Sequence, residues 1–282
     1  MNEIPLQYRE AVDTYEPIDF EGIMLYPITV REYPTFQNAR PAIDFLQQSL
    51  PVRYLSMPLL SAYYAMDVEN HKEGRPSDEL FFRAVLFLAL ALRIGKGEPL
   101  EDRIEQFHIV ADANDHTILK GIDFYQDGTE KRITPVLFQR LRPVLAAQNG
   151  IQLLSNDANP ELVEADRDLA ELSGPELDYD FSALLSTLSV LSGTKEKEMY
   201  DWPILQMNRN REAWSRILNF LVYGIASANG AKFKGGNPVP SPFFDRLEQD
   251  SDALIDMGKF TGGKEVSVSE GGLPPGMLPN QS

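Results

Sequence analysis

The residues best placed to do chemistry by type and spacing form GKFTGGK, residues 258–264, which fits the opening of a phosphate loop, G-x-x-x-x-G-K. That loop works by turning backbone N–H groups onto phosphates, with a following Ser or Thr on magnesium. Here Glu265 stands in the Ser/Thr position, no helix-forming run follows and no strand-like run precedes. The spacing therefore predicts no nucleotide site. The three histidines, His71, His108 and His116, form neither H-x-x-x-H nor HExxH, so they predict no zinc site. His108 is expected on a helix, near its surface. Asp112, Asn114 and Asp115 have the spacing of an opening calcium loop, but Thr117 occupies the position that needs glycine for the sharp turn. They read as a polar turn. No G-x-S-x-G elbow occurs. With 42 Asp and Glu, no single pair of carboxylates is marked out as a general acid and base. The sequence thus predicts no catalytic residue, no cofactor and no metal.

Composition narrows the partners. The chain has 282 residues, a net charge of −16 and no cysteine. Phosphate binding needs a basic face, so nucleic acid is not an expected partner. An acidic protein can instead meet a basic one or mimic nucleic acid. Without cysteine there is no disulfide, thiol nucleophile, iron–sulfur cluster or cysteine zinc site. The polar, acidic start has no apolar signal region, and no membrane segment is expected, so the reading is a cytoplasmic protein.

The elements behind these residues centre on residues 77–95. Ser77 reads as the N-cap of a helix, Gly95 as its stop, and Ala84 to Leu92 is unbroken apolar sequence. A helix apolar on all sides is buried on all sides. Nine apolar residues are too few to span a bilayer, which takes about 20. Residues 18–28 read as a hairpin turning at Glu21-Gly22, and residues 117–134 as a second turning at Asp127-Gly128. Thr29 to Glu32 matches a capping box that should open a helix, and Pro34 and Pro41 should kink or split it. Helices are expected over residues 56–69, from Pro99 onward with Leu100, Ile104 and Phe107 on one face, and from Pro135 to near Gly150. The octets Phe36–Ile43 and Phe138–Leu145 share four identities, which leaves open a duplicated hairpin–helix unit or coincidence.

Residues 156–201 carry twelve carboxylates against three basic side chains, yet Phe181, Leu184, Leu185, Leu188 and Leu191 form a helical stripe within them. Pro160 to Leu172 carries a weaker stripe. Residues 208–229 form the last amphipathic helix, with Trp214, Ile217, Leu218, Leu221, Val222 and Ile225 on one face. Trp214 is expected in the core. Beyond it, Pro238, Pro240 and Pro242 and many glycines point to a flexible extension. The fold class is mainly α with two short β-hairpins (α+β) around a helical core at 77–95. The organisation is a loose lead-in (1–16), one mostly helical domain (17–230) with a possible sub-boundary near 150–160, and a flexible Pro/Gly-rich extension (231–282). Phe243 and Phe244, outside the predicted core, read as docking anchors or as residues that fold back on the domain, and Trp202 as a third partner contact.

Phe20 to Tyr33, FEGIMLYPITVREY, a short hairpin followed by a capped helix opening, resembles the tail assembly chaperones of phages and prophages of Gram-positive bacteria. The acidic, cysteine-free helical body and the Gly/Pro-rich end are similar too. The resemblance implies a non-enzymatic protein that binds the tape-measure or tail-tube proteins in the host cytoplasm. The alternatives are a minor structural component of the particle, an acidic inhibitor or nucleic-acid mimic on a basic protein, and an enzyme with an unrecognised carboxylate site.

Overall fold

The computed structural model describes residues 4–154 except Asp78, then Ala165 and residues 180–229. The lead-in's first three residues, most of residues 155–179 and the extension from residue 230 lie outside the described residues. The fold is mainly α with two small antiparallel sheets. Helix α1 (Leu6–Thr14) occupies most of what reads in sequence as a loose lead-in, and its Val12 is buried in the core.

Strands β1 (Ile18–Phe20) and β2 (Ile23–Leu25) form the first hairpin, with Ile18 opposite Leu25 and Phe20 opposite Ile23. Its turn has positive φ at both Glu21 (54°) and Gly22 (82°), the conformation that a tight two-residue turn demands. Asp19 accepts from the Gly22 N–H at 2.7 Å. The capping box is not formed: the Thr29 side chain makes no cap hydrogen bond, and a 3₁₀ turn (Val30–Glu32) precedes helix α2 (Tyr33–Ala39). Glu32 is diverted to Arg103, an ion pair of 3.0 Å between two largely buried side chains. Pro41 splits the next helix as expected, giving α3 (Pro41–Asp44).

Helix α4 (Leu59–Lys72) runs against α5 (Leu80–Ala91), the central helix. Every residue from Ala84 to Leu92 is buried. Helices α2, α3, α4 and the short α6 (Leu100–Glu105) pack around it. Both of its ends differ from the sequence reading. At the start, Ser77 Oγ accepts from the Glu79 N–H at 3.0 Å, but Glu79 sits at φ 60° and the helix begins only at Leu80. At the finish, the helix stops at Ala91, before Gly95, because tertiary donors take its last carbonyls. Arg103 donates to Ala89 O (2.9 Å) and Ile94 O (2.8 Å), and Tyr26 N–H donates to Ala91 O (2.7 Å).

The second sheet has three strands, β3 (His108–Ala111), β4 (Leu119–Gln126) and β5 (Thr129–Ile133), in that order. The expected hairpin is β4–β5, turning at Asp127 (φ 52°) and Gly128 (φ 74°). Strand β3 corrects the placement of His108: it lies on an edge strand, opposite Asp123, and not on a helix. The helix before it ends at Glu105, so Phe107 packs from the connecting turn. Helix α7 (Pro135–Gln148) follows, capped by Thr134 and continuous through Pro143. In the two similar octets the equivalent residues are all buried: Phe36, Ala39, Ala42 and Ile43 in one, Phe138, Leu141, Val144 and Leu145 in the other.

The open edge of β2 is closed by side-chain amides. Gln126 pairs with both backbone groups of Met24, at 2.9 and 2.8 Å. Gln148 donates to Leu25 O, and Asn149 accepts from the buried Ile28 N–H at 2.8 Å. Each satisfies a backbone group that burial would otherwise penalise.

Candidate binding face

The last three described helices build a second, smaller core. Helix α8 (Phe181–Ser192) is capped by Asp180, whose side chain accepts from Ser182 N–H at 2.8 Å, and ends at Gly193. After α9 (Glu196–Met199), Pro203 opens α10 (Ile204–Ala228). The base of α10 is fixed to the N-terminal segment by backbone bonds. Ile204 N–H donates to Ile28 O (2.9 Å), Val30 N–H to Trp202 O (2.8 Å) and Arg31 N–H to Tyr200 O (2.9 Å). Val30, Leu185, Leu188, Met199 and Met207 are buried together, with Phe181, Leu184, Trp202 and Trp214 packed against them. Trp202 is thus half-buried against this cluster, and its carbonyl holds Val30. Phe243 and Phe244 lie outside the described residues.

Helix α10 begins earlier than the sequence reading places it, at Ile204, and only its first turns are buried, through Ile204, Leu205 and Met207. At 1.5 Å per residue its 25 residues extend about 37 Å. Met207 and Trp214 lie on one stripe, two turns apart, and face the second core. Leu218, Leu221 and Ile225 continue that stripe at helical spacing, but they are bare, with exposures of 47%, 49% and 63%. Val222 beside them is 63% exposed, and Phe220 on another side is exposed too. The amphipathic face read from the sequence is thus covered up to Trp214, which packs against the second core as expected, and is surface beyond it. No charged side chain occurs over residues 217–231. Its polar side, Asn219, Tyr223 and Ser227 at i, i+4 and i+8, is uncharged. That absence of charge around the whole helix is the sequence signal that marks the strip, and the regular apolar spacing obscures it.

The polar residues that could do chemistry are placed otherwise. Both carboxylate oxygens of Asp123 accept from Arg132, at 2.5 and 2.6 Å. Arg132, with a smaller contribution from His108, holds the Asp123 carboxyl below the usual range. A carboxylate engaged on both oxygens is a poor general base. Asp112 accepts from Lys120 and from the N–H groups of Asn114 and Asp115, which lower its pKa to about 2. Asp115 accepts from Thr117. These carboxylates hold their own turn. A surface cavity of about 330 Å³ is lined by Asp67, Val68, His71, Lys72, Arg75 and Ser77. Ser77 donates to Asp67 and Arg75 pairs with Glu73, so these three polar groups of its lining are already engaged. Among the described residues, no three His, Asp or Glu side chains converge as metal ligands, and no helix is long and apolar enough to cross a membrane.

No protein-family model, curated protein or solved structure matches the chain. The site therefore stands on its geometry: a helix rooted in two cores by its first half, carrying a charge-free apolar surface on its second.

Proposed function

We propose that this is a non-enzymatic binding protein that assists phage or prophage tail assembly by holding an apolar helical tail protein against α10. The observation that carries the binding role is the exposed, charge-free apolar surface over residues 217–228. Soluble proteins seldom leave such a surface uncovered without an interaction at it. Helix-in-groove recognition uses anchors at the i, i+3, i+7 spacing that Leu218, Leu221 and Ile225 supply. The choice of a tape-measure or tail-tube protein as partner rests on the resemblance of residues 20–33 to tail assembly chaperones.

Co-expression with the tape-measure and tail-tube proteins of the same gene cluster tests this. The partner co-purifies with the parent chain and is lost with Leu221→Asp. Mass spectrometry of purified virions finds the protein absent, because a chaperone leaves. Failure to co-purify with either protein defeats the tail-assembly reading. Stoichiometric presence in virions turns it into a structural component.

A further inference from the structure

We infer that residues 243–247 of this chain cover the apolar strip of α10 until a partner displaces them, a conclusion that rests on reading α10 as the binding face. The described chain ends at the strip itself. Helix α10 finishes at Ala228, three residues past Ile225, and 53 residues follow Asn229. Whatever follows is therefore tethered at the open end of the strip. Along the helix, Leu218 and Ile225 lie only about 17 Å and about 6 Å before Asn229, at about 1.5 Å per residue.

That tether carries matching apolar residues. Residues 243–247 read FFDRL, three bulky apolar side chains within five positions. Ser241 and Pro242 before them are the residue types of an N-cap and a first helical position. In a helix opened there, Phe243 and Leu247 share one face at i and i+4, with Phe244 beside them. The strip offers Leu218, Leu221, Val222 and Ile225 in return. Twelve residues, 230–241, separate Asn229 from Pro242. As a coil, a chain of that length spans about 17–21 Å, which matches the distance back to the strip. A segment on so short a tether has an effective concentration on the order of 1 mM.

Charge favours this occupant over a second copy. The exposed Arg211 stands on the stripe of Leu218, two turns earlier, and the next charges after the strip in the sequence are Lys232 and Lys234. A second copy brings the same basic residues to the contact, and a net charge of −16 to meet another of −16. Residues 243–247 bring one acid and one base, and so meet the uncharged strip without that penalty. Tethering then sets the regulation. A free partner binds only the chains whose strip is open, so its apparent Kd rises by the inverse of the open fraction.

The test uses the full chain, which has no cysteine of its own, so an introduced pair gives one defined disulfide. One variant carries Ala226→Cys with Asp245→Cys. The other carries Ala226→Cys with Asn237→Cys, a position closer along the tether. In a glutathione buffer the 226/245 pair should close within one chain at least about fivefold faster than the 226/237 pair, against the order that loop length alone would give. Adding Phe243→Ser and Phe244→Ser should abolish the difference. In the cysteine-free chain, those same two substitutions should raise the fluorescence of anilinonaphthalene sulfonate, a dye for exposed apolar surface, at least about twofold. Leu221→Asp with Ile225→Asp should remove that gain. The inference is overturned if the two pairs close equally fast, or if closure ignores the substitutions at Phe243 and Phe244. It is also overturned if the disulfide joins two chains, which makes a second copy the occupant. Should the parent already take up dye and lose it with Leu221→Asp and Ile225→Asp, the strip is open and only the cover falls. Should dye uptake in no variant respond to that double substitution, the reading of α10 as a binding face falls as well.

Discussion

Two helical stretches of this chain are rich in apolar residues and free of charge, and the fold treats them in opposite ways. Over Ala84 to Ala91 in α5, and at Leu92 just after it, every side chain is buried, with α2, α3, α4 and α6 packed around the helix. Over residues 217–228 in α10, Leu218, Phe220, Leu221, Val222 and Ile225 are all exposed. Charge does not separate them, since neither stretch carries any. Position in the architecture does. The central helix is enclosed by elements that precede and follow it, whereas α10 runs on past the small core at its base. An apolar helix is buried by something. For α5 that something is this fold, and for α10 we propose it is a partner.

The comparison is broken most directly by putting a carboxylate into each helix. Leu88→Asp places a charge in a fully buried position, at a cost of several kcal/mol or more, against a typical total stability of about 5–15 kcal/mol. No cooperative thermal transition should remain in circular dichroism. A variant that melts like the parent would mean α5 is not the core. Arg103→Ala is the next largest. It strips Glu32 of its partner and frees the carbonyls of Ala89 and Ile94, so a loss of about 3–5 kcal/mol is expected in urea unfolding. A loss below about 1 kcal/mol would show that α5 terminates without that side chain.

Smaller still is the effect of pH at Asp112. Its folded pKa, about 2, is below the reference value of 3.8, so its charged form stabilises the fold. That contribution is complete above about pH 4 and is lost as pH falls toward about 2. Asp112→Asn should therefore lower Tm at neutral pH, with the difference from the parent closing over this window. A difference constant from pH 7 to pH 2 would contradict the Lys120 and backbone contacts. The smallest expected effect is that of Leu221→Asp on folding. An exposed site tolerates the charge, so stability should change by no more than about 0.5 kcal/mol while partner capture is lost. Destabilisation comparable to Leu88→Asp would erase the contrast between the two helices.

Local rules made part of this fold readable. Glu21-Gly22 and Asp127-Gly128 fix both hairpins through backbone φ alone, and Pro41 splits its helix for a purely steric reason. The central core followed from nine apolar residues without a charge. What stayed hidden depended on partners far along the chain. Arg103 sits among charged residues in a short helix and reads as surface, yet its guanidinium closes the end of α5. Glu32 completes a local motif on paper but is worth more as the partner of Arg103. Strand β3 is four residues long and is defined by β4, a neighbour on the far side of a polar turn. The strip on α10 is not legible as bare, because periodicity identifies an apolar face without identifying what lies against it. Trp214 and Leu221 have equal claims in the sequence, and the fold covers only the first.

The amide seam along β2 has a consequence for how the chain is made. The hairpin is made before the segments that complete it, and its edge has no strand to pair with. Met24 waits for Gln126, Ile28 N–H for Asn149, and Ile28 O for Ile204. At about 5–20 residues per second, the 176 residues between Ile28 and Ile204 take about 10–35 s to synthesise. Through that interval residues 23–28 hold an unfinished edge, and the base of α10 is the piece that finishes it. Helix α10 is therefore anchored late, at its base, by a segment made well before it, while the strip beyond that base stays bare.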